Sequence, residues 1–92
     1  MKQDSAETLA IQALGWIAAD DDIFTTFLSA SGAAVADLRA LASDPAFLAA
    51  VLDFLLQDDK WVQGFAAAAG ISPELPIQAA AVLAGPGAAH WT

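Results

Sequence analysis

SDPAFLAAVLDFLL, residues 43–56, is the stretch that decides the fold. Asp44 followed by Pro45 marks a helix start: an aspartate side chain accepts hydrogen bonds from the free amides of a first turn, and a proline at the first helical position lacks an amide that would have had no partner there. From this start Phe47, Leu48, Val51, Leu52, Phe54, Leu55 and Leu56 cover more than half of a helix circumference. Asp53 and Gln57, beside the small Ala49 and Ala50, leave only a narrow polar strip. A helix wetted so little belongs at the centre with others packed around it. The expectation is an all-α fold, a compact bundle of five to six short helices around this central leucine- and phenylalanine-rich helix at about 45–57.

The neighbouring segments repeat the 3.6-residue period, and none alternates every second residue. Asp4 with Glu7 forms a D-x-x-E capping pattern ahead of Leu9, Ala13, Leu14, Trp16 and Ile17, which predicts a first helix over about 5–19. The acidic run Asp20, Asp21, Asp22 suits a second start, with Ile23, Phe24, Phe27 and Leu28 on one face and Gly32 placed to close the helix in a left-handed conformation. A third helix over about 34–42 is expected to turn Val35, Leu38, Leu41 and Ala42 inward. Asp58 or Asp59 opens a fifth, with Trp61, Val62, Phe65 and Ala69 inward and Gly70 at its end. Ser72 and Pro73 open a sixth, whose regular part is expected to be delayed by Pro76 and whose face is Ile77, Ala80, Ala81 and Ala84. Residues 85–92, GPGAAHWT, read as a flexible tail. The whole chain, 1–92, reads as a single helical domain.

Composition narrows the function classes. The apolar fraction of 58% overstates the core, because 24 residues are alanine, which adds helix propensity and close helix approach more than buried area. The absence of cysteine excludes disulfides and cysteine zinc sites. A net charge of −8, with Lys2, Arg39 and Lys60 scattered, cannot neutralise the several phosphates on which nucleic-acid affinity depends. It equally opposes an anionic membrane surface. No nucleic acid and no membrane are therefore expected as partners, and the longest apolar run, AFLAAVL at 46–52, is far short of a membrane span. The expected location is the cytoplasm.

FLSASG at 27–32, DLRA at 37–40, SDPAFLAAVLDFLL at 43–56 and FAAAAGISPE at 65–74 together resemble a family of short alphaproteobacterial proteins that form a domain of unknown function. The positions that carry the likeness are Phe27, Leu28 and Gly32, then Asp44, Pro45, Phe47 and Leu48, within a span of about 8–84. The resemblance implies a compact helical domain with no assigned activity, and it brings no catalytic residue to this chain.

Each candidate site has a structural reading that fits the residues better. A serine nucleophile at Ser29 or Ser31 needs a base and oxyanion donors, and the sole histidine, His90, lies two residues from the end. FLSASG is accordingly read as a helix end. Counted from Asp20 as a calcium loop, the sixth residue is Thr25 and the twelfth Ser31, neither of which fits, so the acidic triplet is read as a cap. The aspartate-serine-leucine attachment motif of acyl carrier proteins is absent, since Asp4 and Ser5 are followed by Ala6. Trp16 and Trp61 are expected in the core.

No catalytic, cofactor-binding or metal-binding residue is therefore assigned, and no cofactor. The preferred expectation is a non-catalytic module that binds an unknown protein partner or forms a homodimer through Ile77 and Ala81 of the last helix or through Trp91 of the tail. The alternative is a small-molecule-binding domain or enzyme accessory subunit, with Asp53, Arg39 or Gln57 directed into an apolar pocket between helices.

Overall fold

The computed structural model describes the backbone of residues 1–88 and the side chains of residues 1–84. Among the described residues six α-helices and one 3-10 turn follow one another: α1 (Gln3–Ala18), α2 (Asp21–Ser31), the 3-10 turn (Val35–Asp37), α3 (Leu38–Leu41), α4 (Pro45–Leu55), α5 (Asp59–Ala69) and α6 (Glu74–Ala88). The described residues contain no strand, and the fold is all-α.

Aspartates set three of the helix starts. An Asp20 carboxylate oxygen accepts from the backbone N–H groups of Asp22 at 3.0 Å and Ile23 at 3.1 Å. Asp44 accepts from Ala46 at 3.0 Å with Pro45 at the first position of α4, and Asp58 accepts from Lys60 at 2.9 Å. Each satisfies an amide that the helix itself leaves without a partner. Glycine sets two of the ends: Gly32 and Gly70 close α2 and α5 with φ of 72° and 69°. This conformation places a Cβ against the following carbonyl in any other L-residue.

The start of α1 differs from expectation. The helix begins at Gln3 after an extended Lys2, without a side-chain cap, so Asp4 lies inside the first turn and the Asp4–Glu7 capping pair does not form. Gln3 instead donates to the Glu7 carboxylate at 2.8 Å, a pairing one turn apart that favours the helix extending back past Asp4. The third segment also departs. It never completes two α-turns, so side chains spaced for an α-helix do not share a face: Val35 is 61% exposed while Leu38, Leu41 and Ala42 are half-buried.

At the centre, α1, α4 and α6 pack on one another, with α2 and α5 laid against α1. α4 contributes Leu48, Val51, Leu52, Phe54 and Leu55, all buried. α1 contributes Ala6, Leu9, Ala10, Ala13, Leu14 and Ile17. Its three alanines, at intervals of four and three, form a smooth strip that lets a neighbouring helix approach, and the α1–α6 contact is the most extensive in the fold. On α6 the inward residues are Pro76 and Ala79, with Leu75, Ala80, Val82 and Leu83 packed beside them.

The expected face of α6 is therefore rotated. Ile77, Ala81 and Ala84 lie on the exposed side, and Ile77 is 56% accessible. Pro76 is the third residue of α6, where the backbone nitrogen has no helical acceptor to lose, so it sits in the first turn without delaying the helix, its ring buried. The backbone stays helical through 85–88, past the Gly85 boundary expected from sequence. In α5, Ala66 is buried and Ala69, expected inward, is exposed.

The aromatic residues join the layers. Phe27, 1% exposed, meets Phe47 and Phe54 edge-on, with ring centroids 5.9 and 5.2 Å apart. Phe54 stacks on Trp61 at 4.8 Å, and Trp16 meets Phe65 edge-on at 6.3 Å. Both tryptophans are half-buried at the margin of the core. Trp16 reaches across to α5 because Gly64 is there: a Cβ at that position would lie 2.9 Å from the indole Cζ2.

Candidate functional site

Polar side chains in this fold act close to home. Every side-chain hydrogen bond found among the described residues joins groups four or fewer residues apart. No polar or charged side chain among them is buried. A buried titratable group held by tertiary partners is the usual mark of acid–base chemistry, and the described residues present none. They also place no group of three or more His, Asp or Glu side chains to hold a metal ion.

The serines of FLSASG sit at the end of α2. Ser31 Oγ accepts from the backbone N–H of Ala33 at 3.2 Å, which ties it to the turn around Gly32, and Ser29 is exposed. Asp20 serves as the cap described above, as do Asp44 and Asp58. Phe27 and Leu48 are buried, Leu28 and Phe47 half-buried, and Pro45 exposed at the first position of α4. This set anchors α2 and α4 and is positioned for packing.

Three of the surface concavities among the described residues bear on a candidate site. The first, about 350 Å³, lies along the start of α1 and is lined by Met1, Asp4, Ser5, Thr8, Leu9, Gln12 and Leu75. Another of about 300 Å³ continues from Gln12 past Trp16 to Phe65, Ala68 and Ala69 of α5. The third, about 230 Å³, opens between α2 and α4. Its walls are Phe27, Ala30 and Ser31 on one side and Ala50, Asp53, Phe54 and Gln57 on the other.

This α2–α4 cleft brings together two of the three polar residues expected to enter a pocket, Asp53 in the last turn of α4 and Gln57 in the turn that follows it. The third, Arg39, is exposed on α3 and lines none of the three concavities. Sequence reasoning missed Ser31 as their companion, and it missed the cause of the cleft. Ala30 and Ala50 are too small to fill the space over Phe27 and Phe54, a signal visible only once α2 and α4 are known to face each other.

Of the residues expected to mediate association, Ile77 and Ala81 lie exposed on successive turns of α6, with Ala84 exposed one turn further. His90 and Trp91 lie outside the described residues. No single helix among the described residues is long and apolar enough to cross a membrane, and α5 and α6 meet at a bend of 104°.

No curated protein and no solved structure matches the chain. A family model does, over residues 3–86, from the first turn of α1 nearly to the end of α6. The matched span takes in α1 to α5, most of α6 and the α2–α4 cleft, and the chain belongs to the family described as protein of unknown function (DUF3572).

Proposed function

We propose that this protein is a non-catalytic helical interaction module that works in the cytoplasm, associating with a second copy of itself or with another protein through the outer face of α6. The observation that carries this reading is the apolar strip Ile77–Ala81–Ala84 facing solvent on a helix whose opposite face is in the core. A rigid helix presenting apolar side chains at intervals of four and three is a common means of recognition between proteins. The absence of any buried polar side chain among the described residues supports a non-catalytic reading, and the charge of −8 opposes nucleic acid as the partner.

One observation favours the second reading, a small-molecule binder: Asp53 and Gln57 do line a cleft with aromatic walls. Its volume of about 230 Å³ is smaller than the roughly 300–1,000 Å³ of most ligand pockets, which leaves it suited to a single side chain more than to a metabolite.

Light scattering across a concentration series tests the preferred reading. The mass should rise with concentration in the native chain and stay monomeric in Ile77→Asp, or, where the partner is a different protein, a partner captured by the native chain should be lost in that variant. A native chain that is monomeric throughout and captures nothing that Ile77→Asp releases refutes the assignment.

A further inference from the structure

We infer that the α2–α4 cleft is a recognition site for an arginine side chain presented by a basic partner segment. The inference rests on the reading of this protein as an interaction module and names the chemistry of what it recognises.

The electrostatics of the cleft all have one sign. Ala30 and Ser31 belong to the last turn of α2, while Asp53, Phe54 and Gln57 belong to the last turn of α4 and the residues just beyond it. Two helix C-termini, each carrying partial negative charge on its terminal carbonyls, thus meet at the same opening. Proteins commonly place a lysine or arginine in such last turns, and neither α2 nor α4 has one. The Asp53 carboxylate adds a full negative charge, and no cationic side chain lines the cleft. A cation is the missing complement.

The shape selects among cations. Phe27 and Phe54, themselves almost wholly buried, form the apolar floor between the methyl groups of Ala30 and Ala50. An aliphatic stem and a flat guanidinium can lie on that floor, whereas a compact, strongly hydrated ammonium gains less from it. The guanidinium fork carries several N–H donors in one plane. Asp53 supplies carboxylate acceptors, with the Gln57 amide oxygen one turn away and the Ser31 hydroxyl opposite, so donors and acceptors correspond. A free volume of about 230 Å³ holds one such side chain and little else.

The test uses the full chain labelled with ¹⁵N and titrated with capped arginine amide, with capped lysine amide and capped citrulline amide as comparisons. Arginine should give saturable shifts at Ser31, Asp53, Phe54 and Gln57, with lysine weaker and the uncharged citrulline without effect. Asp53→Asn should weaken arginine binding about threefold to fivefold, the scale of a solvent-exposed ion pair. Ala50→Leu, which fills the slot at an exposed position, should abolish it. Citrulline or lysine binding as well as arginine, an unchanged affinity in either variant, or shifts spread over the acidic surface would each overturn the assignment. Light scattering on the same samples reads the α6 strip separately, so failure of the cleft and failure of the interaction reading are distinguishable.

Discussion

Alanine in place of glycine should have opposite effects at two positions in this fold. Gly32 closes α2 with φ of 72°, and a Cβ built there meets no atom within 4 Å. Crowding therefore contributes nothing, and the cost is the left-handed backbone alone, about 1–2 kcal/mol for a residue with a Cβ. Alanine also restricts the unfolded chain, which returns about 0.4–1 kcal/mol. The net expectation for Gly32→Ala is a loss of about 1 kcal/mol. Gly15 is the control. It lies within α1, exposed, with an ordinary helical φ and again nothing within 4 Å of a built Cβ. There the same exchange gains helix propensity without strain and should stabilise by about 0.4–1 kcal/mol. In a domain of this size about 1 kcal/mol moves Tm by roughly 4–8 °C, so urea or thermal unfolding followed by circular dichroism resolves the pair. Equal effects in the two variants, or a Gly32→Ala midpoint at or above that of the native chain, would refute the assignment of Gly32 as the left-handed terminator of α2.

The remaining predictions concern packing and caps. Phe27→Ala removes a ring that is 1% exposed and meets both Phe47 and Phe54, and it should cost about 3–5 kcal/mol in urea unfolding, with a loss under about 1 contradicting its place in the core. Gly64→Ala drives a methyl group to 2.9 Å from Trp16 and should destabilise by up to about 2 kcal/mol after the helix-propensity gain. In a Trp16→Leu background the same change should become neutral or stabilising; an identical effect in both backgrounds would show that the indole is not the obstacle. Asp44→Ala deletes the cap on Ala46 and should cost about 0.5–2 kcal/mol, measurably more than Asp53→Ala, which removes an exposed carboxylate without a capping role.

What sequence made legible, and what it did not, divides along one physical line. Most signals that act over a single turn read correctly: the caps at Asp20, Asp44 and Asp58, the proline start of α4, and the glycine ends at Gly32 and Gly70; the Asp4–Glu7 pair is the exception, because Gln3 pairs with Glu7 and the helix extends back past Asp4. Each depends on neighbours in the chain. Inferences that needed a tertiary partner fared worse. The burial of α4 was evident from its nearly continuous apolar surface, but the inner face of α6 was not. An alanine-rich helix has weak amphipathicity, and which methyl groups face inward is decided by the surfaces of α1 and α4 on which it packs. Pro76 reads as an obstacle when Ser72 and Pro73 open the helix, because it then falls past the residues whose amides have no helical acceptor; once Glu74 opens the helix, a proline at the third position fits. The α2–α4 cleft was half legible. Asp53 and Gln57 stood out as the polar strip of an otherwise apolar helix, while Ser31, Ala30 and the meeting of two helix ends required knowing which helices face each other.

This division also changes how association through α6 must be tested. Deleting residues 75–92 would remove Pro76 and Ala79 from the core together with Ile77 and Ala81 from the surface, and so could not separate folding from binding. The central claim is that one face of α6 holds the fold together while the other is left for a partner. The most direct measurement compares Ala79→Asp with Ala81→Asp, two residues apart on the same helix, by circular dichroism and light scattering on the full chain. Ala79→Asp is expected to lose cooperative unfolding, because it buries an unpaired carboxylate between α6 and its neighbours. Ala81→Asp should unfold at nearly the native midpoint and lose association. A destabilised Ala81→Asp, or one that folds and still associates as the native chain does, would contradict that claim.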